Sequence, residues 1–214
     1  MNTPNPAPIF RIVHVENLPT LLARGGLHAP NHTPDDGLPY KVIHNPDIQA
    51  QRRISQIPCG PRGVIHDYVP FYLGPRSPML FQLHTGWVTG YTEGQEPLIY
   101  LVSTAQSVHE SRTPFVFSNG HGIAIISDWF DDLGRLGEVD WQSAYARTWK
   151  DTIDDMDRQR RKQAEFLVHR FCDWGLINGI GVRSLRAKER VEQIFEQFDL
   201  SLHRPIDVKS DWYY

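Results

Sequence analysis

A mixed α+β fold is predicted by three observations on the 214-residue sequence. Short runs with the β-branched and aromatic content of strands are interspersed with segments that hold apolar residues at helical spacing. No internal repeat or low-complexity tract is present, so neither a solenoid nor a fibre is expected. Hydrophobic residues make up 40% of the chain and aromatics 11%, enough for a true core and too many for a disordered tail. Residues 1–214 are therefore read as one domain.

The elements follow in order. Pro4, Pro6 and Pro8 fix φ and remove donors, so structure should begin at Ile9. Residues 9–15 (IFRIVHV) read as a mostly buried strand. Residues 16–24 put Leu18, Leu21 and Leu22 at helical spacing, and Gly25-Gly26 ends that helix. Residues 28–47, rich in Pro, Asn and Asp, form a long loop of the kind that usually carries function in a compact domain. A short segment bearing Arg52 and Arg53 leads into the breaker-rich stretch 58–63. In residues 64–83 aromatics alternate with prolines, which excludes a regular helix. Residues 97–103 (PLIYLVS) are the best strand, and Thr104 caps a helix to Glu110. Residues 115–117 and 122–126 read as two more strands, and Asp140 caps a helix over 141–150. Residues 160–172 fit either period: Ala164, Leu167, Val168 and Phe171 make a helical stripe, while Glu165, Leu167 and His169 alternate as in a strand. Residues 177–182 are a strand, 185–198 a strongly patterned helix, and 205–214 a final extended segment.

Twenty-two Lys and Arg against 25 Asp and Glu give a formal charge of −3, which excludes a protein that coats nucleic acid by charge alone. Cys59 and Cys172 lie far apart, with no Cys or His at ligand spacing. Neither a disulfide framework nor a zinc site is expected, which suits a reducing cytoplasm. The N-terminus MNTPNPAPIF has no basic or apolar targeting region, and no window approaches the roughly 18 apolar residues of a membrane helix. A cytoplasmic protein without a membrane partner is the expectation.

Phosphate-binding loops and nucleophile elbows are missing, and Gly179-Ile180-Gly181 lies inside a predicted strand. None of the ten histidines pairs as HxH, HxxxH or HExxH, so no metal is expected. His66-Asp67, adjacent on an extended chain, is read as structural. Three features point to chemistry instead. Arg158, Arg160, Arg161 and Lys162 precede Glu165, a lone acid at the edge of the apolar stretch AEFLV, where an isolated buried charge would be costly. Arg52-Arg53 offers guanidinium forks between flexible loops, suited to gripping a diphosphate. Tyr68, Phe71 and Tyr72, with Arg62 and Arg76, mix aromatics and cations as single-strand binders do, and as core edges also do.

These residues sit in blocks that resemble the DarT family of bacterial toxins: IFRIVHVENLPTLLARGGL at 9–27, NPDIQAQRRI at 45–54, GVIHDYVPFYLGPRSPML at 63–80 and RRKQAEFLVHR at 160–170. The resemblance implies the ADP-ribosyltransferase fold, two small β-sheets forming a cleft for NAD. It implies transfer of ADP-ribose from NAD, as co-substrate and without a metal, to a base in single-stranded DNA, in one branch N3 of thymine. A DarG-like macrodomain antitoxin is the implied partner. Guanine, RNA or protein as acceptor, or a non-catalytic single-strand DNA-binding module on the same fold, are the alternatives.

Carried over by residue, the resemblance gives Glu165 the place of the transferase glutamate, at the start of a strand over 164–169. Arg52 takes the place of the catalytic arginine, with Arg53 as the register alternative. Tyr72 and Met79 match pocket residues at the nicotinamide end, Arg11, Ile12 and Val13 the strand whose backbone holds the nicotinamide amide, and Thr20 a position near the same ligand. His121 begins the loop between cofactor and DNA. Arg53, Arg76, Arg158, Arg160, Arg161 and Lys162 are the expected DNA-facing cations. Related transferases carry histidine where this chain has Arg11, which replaces an imidazole by a donor-only group.

Overall fold

The computed structural model of the chain describes residues 2–214. Strand β1 (Pro8–His14) leads into helix α1 (Leu18–Ala23) and strand β2 (Gly26–His28). After a long loop, Asn45 accepts from the Asp47 and Ile48 N–H groups and so caps helix α2 (Pro46–Ile54). Strand β3 (Tyr68–Tyr72), helix α3 (Pro78–Thr85), strand β4 (Leu98–Thr104) and helix α4 (Ala105–Glu110) follow, then strands β5 (Phe115–Ser118) and β6 (Trp129–Phe130). The remainder adds helices α5 (Trp141–Tyr145) and α6 (Arg158–Lys162), strands β7 (Glu165–His169), β8 (Phe171–Asp173) and β9 (Gly179–Val182), helix α7 (Leu185–Phe195) and strand β10 (Ile206–Val208).

One strand order, β10-β9-β4-β1-β3-β7-β5-β6, runs through the main sheet, and β2 pairs with β8 in a separate ribbon. The main sheet is nearly cut in two. β1 pairs with β4 along its whole length and β3 with β7 likewise, but β1 meets β3 only at Phe10 opposite Tyr72. The two-sheet architecture expected of the fold is thus two half-sheets hinged at one residue pair, and the splay between them opens a cleft. Alternation along β1 serves both faces: Ile9 and Val13 enter the larger core with Val69, Phe71, Phe166 and Val191, while Phe10 and Ile12 join Leu80, Tyr100 and Tyr213 on the other side.

Several expectations are corrected. A regular helix was excluded over 64–83, yet α3 begins at Pro78. Ser77 accepts from Leu80 N–H, and Pro78 sits in the first turn, where its missing donor costs nothing. Residues 122–126 are turns, not a strand, because the edge of β5 they would need is taken by β6. The helix capped by Asp140 ends at Tyr145, short of residue 150. The doubly readable stretch 160–172 divides: its basic start belongs to α6, and the strand begins at Glu165. Among the described residues no helix is long and apolar enough to cross a membrane.

Candidate active site

Glu165 is the first residue of β7, at the mouth of the splay, and α2 delivers Arg52 to it from 113 positions away in sequence. Arg52 Nη1 donates to Glu165 Oε1 at 2.9 Å and Nη2 to Oε2 at 2.7 Å, a two-point fork buried on both sides. Gly122 N–H adds a third donor, 3.1 Å from Oε1. Glycine suits that approach, since a Cβ there would stand a tight 3.3 Å from Glu165 Oε1, Ile65 and Trp129 alike. Burial alone would push the Glu165 carboxyl up. The charge and hydrogen bonds of Arg52, with His121 and the Gly122 N–H, outweigh it and hold the carboxylate below its ordinary range. Burial likewise works against the Arg52 cation, and the Glu165 charge more than restores it.

This pair lies in the wall of a cavity of about 810 Å³, within the usual size of a cofactor site. Arg11, Ile12, Arg53, Tyr72, Met79 and His121 line the same cavity. Tyr72 is the cross-strand neighbour of Glu165, and burial followed by that carboxylate pushes its hydroxyl up to about 12. Arg11 Nη1 donates to the Pro70 carbonyl at 3.0 Å, stitching β1 to β3 across the splay, while its buried Nε has no partner among the described residues. The Val15 N–H bonds Pro97 and the Ala7 carbonyl bonds Ala105, so odd-numbered residues turn their backbone groups to the β4 side. Ile12 therefore turns its N–H and C=O into the splay, where β3 offers no pairing residue. Arg53 is exposed at the rim, and it is Arg52 that meets Glu165.

Other anticipated residues stand elsewhere. The Val13 side chain is in the core. Thr20 is buried outside the cavity wall, its hydroxyl donating to the Pro39 carbonyl. All of the expected DNA-facing cations but Arg53 are engaged by local partners. Arg76 lies over the Tyr214 ring and bonds the Tyr213 carbonyl. Arg160 is held by Asp157, Asn119 and Ser127, and Arg161 by Asp155 and Asp140. Arg158 donates to the Thr148 carbonyl. Lys162 is 1% exposed, with Nζ 2.7 Å from the Pro75 and Ala144 carbonyls, so it cannot reach a phosphate.

Sequence reasoning missed His44, Gln49, His66, Gln159 and Gln163 in the cavity wall. His66 Nε2 lies 3.0 Å from Gln49 Oε1, a pairing that no spacing rule announces because α2 makes it. Its neighbour Asp67 is structural as expected, accepting from Val64 N–H and Asn31 Nδ2. A candidate ligand cluster of His14, Glu16 and Glu93 is bridged by the Lys41 ammonium, which already supplies a cation.

A family model described as DarT, ssDNA thymidine ADP-ribosyltransferase, matches residues 10–214. A DNA ADP-ribosyl transferase of Thermus sp. (strain 2.9) is 41% identical over 211 residues, 99% of this chain and 98% of that relative. The solved Thermus sp. 2.9 DarT in complex with ADP-ribosylated ssDNA superposes with a TM-score of 0.93 at 39% identity, covering 100% of this chain and 99% of that one. Its complex with NAD+ gives 0.89 at 38% identity, with 100% of both chains covered. A full-length sequence match and a shared cleft geometry agree: the chain belongs to the DarT family of single-stranded-DNA thymidine ADP-ribosyltransferases.

Proposed function

We propose that this protein transfers ADP-ribose from NAD to N3 of thymine in single-stranded DNA, releasing nicotinamide, and acts as a cytoplasmic toxin restrained by a DarG-like macrodomain antitoxin. The observation that carries the reading is the buried Arg52–Glu165 fork in the wall of an NAD-sized cavity. The Thermus complexes with NAD+ and with ADP-ribosylated ssDNA support the two co-substrates. The whole chain works as one transferase domain, since the strands from both its ends share the main sheet.

Cleaving the bond from ribose C1″ to nicotinamide builds positive charge on the sugar, and a carboxylate on the 2″-hydroxyl stabilises that charge as it grows. Counting lone pairs shows that Glu165 has room for this role. A carboxylate offers about four acceptor sites. Arg52 and Gly122 occupy two on Oε1 and one on Oε2, leaving Oε2 a site for the ribose hydroxyl. Arg52 fixes the carboxylate and turns its remaining N–H groups to charge developing in the cavity. The peptide groups of Ile12, turned away from β4, suit the nicotinamide amide, and the unpaired Arg11 Nε suits a ribose oxygen or a phosphate.

N3 is occupied in Watson–Crick pairs, so the acceptor must be unpaired. Incubation with NAD and a thymidine-containing single strand gives a mass gain of one ADP-ribose that is absent with Glu165→Gln. Equal modification of the matched duplex refutes the single-strand preference, and no NAD consumption by the intact protein would leave only a DNA-binding module.

A further inference from the structure

The cavity extends well past the Arg52–Glu165 fork. Tyr68, Pro70 and Tyr72 all line it, so it runs along β3. Tyr72 stands opposite Glu165 and Tyr68 opposite His169, four strand steps or about 13 Å away. At that second end the wall comes from α1, from β2 and from the loop after it, and β2 is held by β8, which follows the His169 end of β7. Leu21 and Pro30 give this stretch apolar surface, and its titratable groups are Arg24, His28, Asp35 and Asp36. With ribose C1″ of NAD at Glu165, the diphosphate crosses the middle and the adenosine comes to this end.

No free positive charge awaits it there. The Arg24 side chain is 7% exposed and fully engaged by Asp36: Nε donates to Oδ2 at 2.8 Å and Nη2 to Oδ1 at 2.6 Å. Burial, with the Arg24 charge adding to it, lowers the His28 imidazole below its ordinary 6.5, so His28 is neutral at pH 7. Asp35 adds a second, exposed carboxylate. Leu38 N–H also donates to Asp36 Oδ1, at 3.0 Å. Two acceptor sites on Oδ1 and one on Oδ2 are thereby filled, and of the roughly four that a carboxylate offers the one left is on Oδ2. A ribose 2′-hydroxyl can donate to it. A 2′-phosphate carries about −1.5 to −2 charges at pH 7 and meets two carboxylates and a guanidinium already taken.

We infer, resting on the transferase reading proposed above, that the Arg24–Asp36 fork selects NAD against its 2′-phosphorylated form, NADP, with Asp36 receiving the adenosine 2′-hydroxyl. Dinucleotide sites of other folds make the same choice with one residue or the other: an acid on the 2′-hydroxyl favours NAD, and an arginine at the 2′-phosphate favours NADP. This chain holds both residues and pairs them. Asp36 offers the attraction to NAD and, by keeping Arg24 engaged, withholds the attraction to NADP.

The fork also tethers the cavity loop, so cutting it weakens binding of both dinucleotides, and the selectivity is read in their ratio. The test measures nicotinamide release from NAD and from NADP in the presence of a thymidine-containing single strand. Wild type should favour NAD in kcat/KM by about 100-fold or more. Asp36→Asn removes a negative charge and frees Arg24, and should lower that preference at least tenfold, chiefly through KM for NADP. The Arg24→Gln, Asp36→Asn double variant has the same cut tether but no free cation, and should discriminate more strongly than Asp36→Asn alone. A wild-type ratio near one, a ratio that Asp36→Asn leaves unchanged while both KM values rise, or a double variant as tolerant of NADP as Asp36→Asn would overturn the inference. No nicotinamide release from either dinucleotide by folded wild type would instead overturn the transferase reading, a distinct result.

Discussion

Thr20 Oγ1 donates to the Pro39 carbonyl at 2.7 Å, so a hydroxyl on α1 holds down the loop that walls the cavity. Three neighbours share the task. Asn17 grips both backbone groups of Lys41, Arg24 forks onto Asp36, and the Lys41 ammonium reaches Glu16 and Glu93. The opposite face of the loop presents Leu38, Tyr40 and Val42 to the cavity. Each hydrogen bond is worth about 1 kcal/mol, so cutting one loosens the wall without touching the reacting groups. Thr20→Val and Asn17→Ala should raise KM for NAD several-fold and leave kcat within about twofold, by steady-state nicotinamide release. A lowered kcat at unchanged KM would place Thr20 at the chemistry instead.

The Arg52–Glu165 fork makes a prediction about stability as well as rate. Glu165→Gln strips a buried guanidinium of its counter-charge, which costs about 3–5 kcal/mol, whereas replacing both partners by apolar residues of similar volume costs much less. Urea titrations of Glu165→Gln and of the Arg52→Met, Glu165→Leu double variant should show that order, and equal losses would contradict it. The acid dependence has a definite sign. Because the folded-state carboxyl is held below its ordinary value of 4.5, its contribution is complete above that value and is lost as pH falls through the folded value. The gap between wild type and Glu165→Gln should therefore close on acidification.

What the sequence could disclose follows from which forces are local. Strand composition located β1 and β4 because their side chains are buried where they stand, β7 was placed only through the resemblance, and the cap residues Thr104 and Asp140 accept as such residues do. The acid in AEFLV was legible as a charge that needed a partner. Its nearest cations in sequence were the wrong ones: α6 turns Arg160 and Arg161 onto aspartates, and the partner comes from α2. The apolar run at 122–126 imitates a strand, but with β6 on the edge of β5, Ile125 and Ile126 are left exposed. Pro78 was read as a breaker because position within a helix, which decides whether its missing N–H matters, is not written in the residue. The expected two-sheet cleft is legible only through the resemblance, since the splay depends on the short contact between β1 and β3.

Lys162 gives a prediction with the same pH sense in a higher window. Burial, with the Arg76 charge adding to it, pushes its ammonium down to about 7, and a neutral amine still has the two N–H groups that the Pro75 and Ala144 carbonyls require. The unfolded chain keeps the Lys162 proton up to the ordinary 10.5, while the folded protein releases it near 7. Between those values the unfolded state binds more protons, so the folded state gains stability as pH rises, by a few kcal/mol over the window. Lys162→Met removes the titration and leaves both carbonyls unpaired. Chemical denaturation from pH 7 to 10 should show wild type gaining on Lys162→Met as pH rises, with the other titrating groups cancelling in the difference. Parallel curves would mean that the ammonium remains charged in the fold, held by its two carbonyls against the cost of burial.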